Sequence, residues 1–190
     1  MENNNAPLLE MRNIQKDFFG NQVLTDINFT LKEGEVLGLV GENGAGKSTT
    51  IRHLMGFSKP DSGSTKIEGM ETFHRYFEVL NHVGYIPGEI ALPAGLTGWE
   101  FIRMMQNLQK IHNEKRLGEM LKLFELEDEV LKGETKRMSL GVKRKLAVVT
   151  AFMSDPDVLI LDEPTSGLDP VIENAYFRIG TKSTGFTDNI

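Results

Sequence analysis

The 190-residue chain contains no cysteine. Disulfides, thiolate metal sites and cysteine nucleophiles are therefore excluded. Aromatic residues are sparse at 8%, which leaves few candidates for stacking on a ligand. Long apolar runs are missing: a membrane-spanning helix needs about 20 mostly apolar residues, and the purest stretch is only Val158-Leu159-Ile160-Leu161. The start, Met1-Glu2-Asn3-Asn4-Asn5, lacks the apolar segment of a secretion signal. The chain is thus expected to stay on the cytosolic side, held at any membrane by something else. Positive charge is short, with 21 Lys+Arg against 27 Asp+Glu and a net charge of −6. No nucleic-acid partner is expected, because phosphate-backbone binding usually needs a basic face. What remains is ordinary globular composition, 39% apolar, at a length that suits one domain with a sizeable core.

Apolar alternation over residues 8–14 and 23–31, with Gly20-Asn21 between, predicts two antiparallel strands. The run Glu35 to Val40 predicts a buried central strand, and Lys47 to Met55 a helix. A polar strand follows from Ser62 toward Gly69, then another over Val83 to Ile86, stopped by Pro87-Gly88. From Thr97 to about Thr150 the chain turns helical in character. Phe101, Met104, Met105 and Leu108 share one helix face, and Leu117, Met120, Leu121 and Phe124 another. Both stripes read as core packing. Strand character returns over Asp157 to Leu161, and residues 181–190 show no usable periodicity.

The strongest local signal is Gly41-Glu42-Asn43-Gly44-Ala45-Gly46-Lys47-Ser48, a G-x-x-x-x-G-K-[ST] pattern between a strand and a helix. Its chance occurrence at this composition is roughly one per cent. Glycines let the backbone wrap phosphate oxygens without Cβ clashes. Turned N–H groups and the helix N-terminus attract an anion. Lys47 adds a point charge for the β- and γ-phosphates, Ser48 a hydroxyl for Mg²⁺, and Thr49 extends the binding segment.

A second signal is the strand end Leu159-Ile160-Leu161-Asp162-Glu163. Acids at the carboxyl end of a parallel strand sit where open α/β sheets bind ligands. Asp162 is placed to hold Mg²⁺, and Glu163 to polarise a water for attack on the γ-phosphate. The alternative for such a pair alone is a solvated strand end. Guanine-reading motifs are missing: there is no N-K-x-D, and the only D-x-x-G, Asp17 to Gly20, lies upstream of the loop. Adenine is then the default base. Phe18 and Phe19 are candidates to stack on it, with core packing of one or both as the alternative.

Two further stretches complete a resemblance. The segment Met138-Ser139-Leu140-Gly141-Val142-Lys143-Arg144 resembles the L-S-G-G-Q signature of ABC-type ATPases, in the S-L-G-x-K form seen in bacterial ABC-2-type exporter subunits. The segment Glu163-Pro164-Thr165-Ser166-Gly167-Leu168-Asp169-Pro170 resembles that family's D-loop. The resemblance implies an α/β fold: a P-loop NTPase core, an N-terminal antiparallel β subdomain and an α-helical insert. It places an ATP-binding domain over residues 1–178, with the insert at about 90–150. It implies ATP and Mg²⁺ as ligands, Phe18 as the stacking aromatic and Glu163 as the catalytic base. It also implies head-to-tail dimers, homo- or heteromeric. In these each ATP lies between one subunit's phosphate loop and the other's Ser139 and Gly141, while Asp169 bridges the two sites. The expected partner is an integral membrane permease, the expected place the cytoplasmic face of the membrane, and the expected work export. The helical insert and residues 86–97 are expected to transmit it.

Two departures qualify the resemblance. The family's glutamine after the strand ending at Ile86 is replaced by Gly88-Glu89. The family's switch histidine would follow the D-loop, yet His53, His74, His82 and His112 all precede the signature. Residues 179–190 are therefore expected to be an unstructured or aberrant tail. The final strands are expected to be missing, with one sheet edge and apolar surface left uncovered. The competing functional readings are a nucleotide-binding fragment with weak turnover and a soluble, non-transport ABC-type ATPase.

Overall fold

The computed structural model describes residues 6–162 and 184–188. Its two sheets divide the chain as the patterning predicts. The first is antiparallel, ordered β2 (Asn21–Leu31), β1 (Leu9–Phe18), β4 (Ser62–Ile67), β5 (Met70–Glu71). The second is parallel, ordered β3 (Val36–Leu39), β8 (Thr184–Asp188), β7 (Val158–Leu161), β6 (Val83–Ile86). Helices are α1 (Lys47–Leu54), α2 (Tyr76–Val79), α3 (Gly98–Gln109), α4 (Glu114–Leu123), α5 (Asp128–Leu131) and α6 (Leu140–Phe152). None among the described residues is long and apolar enough to cross a membrane.

In β1, Met11 and Ile14 are three residues apart, so strict alternation would point them to opposite faces. Both are buried. The pairing with β2 shifts register between them, and Asn13 takes φ +48. This bulge inserts the extra residue that returns Ile14 to the core side. At the end of β1, Phe18 pairs with Asn21, and the two-residue turn Phe19-Gly20 has φ +55 and +85. That is the turn whose twist matches a β-hairpin.

Strand β7 is the wall between two cores. Val158 and Ile160 face a cluster with Leu9, Ile14, Leu31, Ile51 and Leu54. Leu159 and Leu161 face a cluster with Phe101, Ile102, Leu117, Phe124, Leu146 and Phe152. Alternation along four residues thus binds α1 and the antiparallel sheet on one face, and the helical region on the other. Entry into α3 is fixed by a capping box, with Thr97 accepting from the Glu100 N–H and the Glu100 carboxylate accepting from the Thr97 N–H.

Three expectations need correction. Among the described residues strand β3 is not a central strand but ends the parallel sheet, and Val36 and Val40 are 67% and 72% exposed. Leu108 is 68% exposed, because the buried face of α3 runs through Gly98, Phe101, Ile102 and Gln106 and leaves residue 108 at its margin. The tail contains a strand: residues 184–188 lie between β3 and β7, where both neighbours offer backbone partners that reward extended pairing regardless of side-chain pattern. The short β5 and α2 escaped sequence reading because neither is long enough to show a period.

Candidate nucleotide site

Strand β3 delivers the chain to the loop at residues 41–46, and α1 begins at Lys47. Within the loop, the Ala45 N–H donates to the Glu42 carbonyl at 3.0 Å. Gly44 and Gly46 take φ +88 and +90, a region costly to any residue with a Cβ. Gly46 is also tightly packed. A Cβ there would lie 2.7 Å from Leu24 Cδ2 and 3.0 Å from the Val23 carbonyl oxygen. The loop is therefore pinned against β2.

No side chain caps α1 and no acid lies in its first turn. Its N-terminal dipole end thus meets no carboxylate of its own first turn, as an anion site requires. The Lys47 ammonium curls back over the loop, donating to the Gly41 carbonyl at 2.8 Å and to Glu42 at 3.2 Å. Ser48 is exposed beside it, Thr49 half-buried, and Thr50 points inward to donate to the Gly46 carbonyl at 3.0 Å. These features fit a triphosphate: backbone donors, one cation lying over the loop and one exposed hydroxyl.

Asp162 follows β7 directly. Its N–H donates to the Ile86 carbonyl at 2.9 Å, which fixes the strand end. Register sets its height relative to the loop: Leu39 pairs with Asp188, and Leu161 with Thr187. The carboxyl ends of β3 and β7 are therefore level to within one residue. They are separated by two interstrand steps, roughly 10 Å. Ile86 pairs with Leu161, so Gly88 and Glu89 emerge at the same end. Three strand ends thus share the carboxyl edge of the sheet. An oxygen ligand such as Asp162 at this edge suits Mg²⁺, a hard cation.

Sequence reasoning missed Tyr85. Its hydroxyl donates to Asp162 Oδ2 at 3.4 Å, and its pKa is pushed up to about 12, first by burial and then by the Asp162 charge. No local signal marked it, because only the pairing of β6 with β7 brings Tyr85 beside the acidic strand end.

The signature stands elsewhere. Ser139 caps α6, accepting from the Val142 N–H at 3.3 Å, and no acid lies in the first turn. Ser139, Leu140 and Gly141 are exposed, and a Cβ at Gly141 would meet nothing within 4 Å. Helix α6 packs on the Leu159 and Leu161 face of the parallel sheet, whereas α1 packs on the opposite face. The chain therefore does not bring its own signature and phosphate loop together around one core. Phe18 and Phe19 are both outside the core; Lys16 Nζ lies 5.3 Å from the Phe18 ring centre, and Phe19 is fully exposed. Glu163 and Asp169 lie outside the described residues.

The comparisons with known proteins agree with this geometry. A family model described as ABC transporter matches residues 24–166. The chain is 36% identical over 163 residues to the uncharacterized ABC transporter ATP-binding protein YhcH of Bacillus subtilis, covering 86% of this chain and 53% of that protein. It is 39% identical over 154 residues to the bacitracin transport ATP-binding protein BcrA of Bacillus licheniformis, covering 80% and 50%. It thus spans about half the length of these curated relatives. A solved structure of an ATP-binding subunit of an ABC transporter superposes with a TM-score of 0.87 at 31% identity, covering 95% of this chain and 79% of that one. The match of the family model over most of the chain, with its loop, acidic strand and helical region in place, shows that the chain belongs to the ABC transporter family.

Proposed function

We propose that this chain binds and hydrolyses ATP as the nucleotide-binding subunit of a membrane exporter, working in a head-to-tail dimer at the cytoplasmic face beside a permease. The observation that carries the reading is the level alignment of the phosphate loop and Asp162 along one sheet edge, with the signature on the other face. That division explains why a second subunit is needed: its Ser139, Gly141 and α6 N-terminus would close over this chain's triphosphate. The name of BcrA, a bacitracin transport ATP-binding protein, supports transport as the process.

In this reading Gly41, Glu42, Asn43, Gly44, Ala45, Gly46, Lys47, Ser48 and Thr49 cradle the phosphates. Phe18 stacks on adenine. Ser48 and Asp162 hold Mg²⁺, whose charge offsets that of the phosphate oxygens. Glu163 takes a proton from the attacking water. Asp169 links the paired sites.

Lys47→Ala should weaken ATP binding itself, read by calorimetric titration. Glu163→Gln keeps the shape but loses the base, so binding should persist while phosphate release stops. Turnover by Glu163→Gln at the parent rate would refute the base assignment. A second reading is a nucleotide binder with weak turnover, favoured by Gly88-Glu89 at the family's glutamine position. ATP binding by the parent chain without phosphate release would select it.

A further inference from the structure

At the opposite end of the parallel sheet, three side chains converge from three separate elements. His82 precedes β6, Asp157 precedes β7, and Glu68 lies in the turn between β4 and β5. His82 Nδ1 is 2.8 Å from Asp157 Oδ2 and 2.9 Å from Glu68 Oε2. The three ligand atoms lie within 4.8 Å of one another. We propose that this triad is a binding site for a divalent transition-metal ion of the Zn²⁺ class, distinct from the nucleotide site.

The charge and proton count argue for it. An imidazole nitrogen carries at most one proton, yet two carboxylate oxygens approach the same nitrogen at hydrogen-bond distance. One N–H can serve both only by splitting into a three-centre bond, and only the Asp157 contact has hydrogen-bond geometry. Two carboxylates facing one imidazolium also leave a net negative charge. A dication bound by neutral imidazole and both carboxylates satisfies all three atoms and balances the charge. Around Zn²⁺, with metal–ligand distances of about 2.0–2.2 Å, tetrahedral ligands stand roughly 3.3 Å apart. The two nitrogen–oxygen spacings need to open by only about half an ångström, and half-exposed side chains can supply that. Exposure also leaves room for water as a fourth ligand. A nitrogen ligand favours Zn²⁺ over Mg²⁺ or Ca²⁺, which select oxygen.

The backbone holds the triad in place. The Val158 N–H donates to the His82 carbonyl at 3.0 Å, beside two of the ligands. The Glu68 N–H donates to the Leu8 carbonyl at 2.8 Å, and Glu68 takes φ +50. Glu68 opens the two-residue turn Glu68-Gly69 between the paired residues Ile67 and Met70, which accounts for that backbone. Strands β6 and β7 run about four residues from this site to the nucleotide edge, roughly 13 Å. A bound ion would tie the antiparallel sheet to the amino ends of the parallel strands.

The test is titration of the metal-stripped full chain with Zn²⁺ against a chromophoric chelator, without nucleotide. One ion per chain is expected. His82→Ala should lower affinity by about tenfold or more, since even supporting residues of metal sites cost that much. Asp157→Asn and Glu68→Gln, which keep size and shape, should each weaken binding and guard against misfolding of the first variant. His74→Ala is the control, because among the described residues the His74 imidazole pairs with a single carboxylate, that of Glu71. Equal Zn²⁺ affinity in parent and His82→Ala, loss of binding with His74→Ala instead, or no parent binding below millimolar Zn²⁺ would overturn the site and leave a proton-bridged ion pair. None of these outcomes bears on ATP binding.

Discussion

Tyr85 reaches across from β6 to donate its phenol to Asp162, the acid that ends the neighbouring strand, at 3.4 Å. The bond is long, and burial is the larger cause of the high Tyr85 pKa of about 12. The folded protein therefore holds the phenolic proton more tightly than the unfolded chain, whose tyrosine titrates near 10. This contribution to stability is complete below pH 10 and is lost as pH rises toward 12. Absorbance titration should show a late-ionising tyrosine that is absent in Tyr85→Phe and shifted earlier in Asp162→Asn. A parent titration with every tyrosine ionising near 10 would refute the contact.

A second pH effect belongs to His53 in α1. The ring is fully buried, Nδ1 lies 2.7 Å from the Ser58 carbonyl, and Nε2 has no hydrogen-bond partner among the described residues. Burial, as the largest cause, holds its pKa below the usual histidine value. The unfolded chain takes up a proton near pH 6.5 that the folded chain refuses. Stability should be full above that pH and decline as pH falls below it. His53→Asn keeps a donor for Ser58 but cannot titrate. Urea melts at pH 7 and pH 5 should show a smaller pH dependence in the variant.

The two left-handed loop glycines should separate conformation from packing. Gly44 at φ +88 has nothing within 4 Å of a Cβ, whereas Gly46 at φ +90 meets Leu24 and Val23. Gly44→Ala should cost about 1–2 kcal/mol, the left-handed penalty alone. Gly46→Ala adds overpacking and should cost about 2–5 kcal/mol. Denaturant unfolding measures both, and equal costs would mean that the β2 contact does not matter.

The hairpin tip distinguishes two phenylalanines. Phe18 is partly covered with Lys16 nearby, while Phe19 occupies the exposed left-handed turn position. Stacking on a base is worth about 1–3 kcal/mol. Phe18→Ala should therefore weaken ATP binding by about fivefold or more, and Phe19→Ala should leave it unchanged in the same titration. The reverse result would exchange their roles.

Much of the site was legible because its chemistry is local. The phosphate loop needs glycines, a lysine and a hydroxyl at fixed spacing within eight residues, so the pattern survives without knowledge of the fold. Asp162 was legible because an apolar strand ending in acid is also a short-range pattern. Tyr85 was not, since its role depends on which strand lies beside β7. The exposure of Leu108 was equally hidden, because a helical stripe defines a face but not how far the neighbouring helices extend along it.

Residue order alone determined the strand–loop–helix of the candidate nucleotide site, the helical region and the acidic strand, because each arises from backbone conformation and side-chain period within one segment. Tertiary structure decided three things. It left β3 at the end of the sheet among the described residues, set residues 184–188 between β3 and β7, and put α1 and α6 on opposite faces of one sheet. It also gathered Glu68, His82 and Asp157 from three separate elements. Those outcomes depend on strand order and register, which arise from hydrogen bonds and burial between segments far apart in the chain, where no local pattern records them.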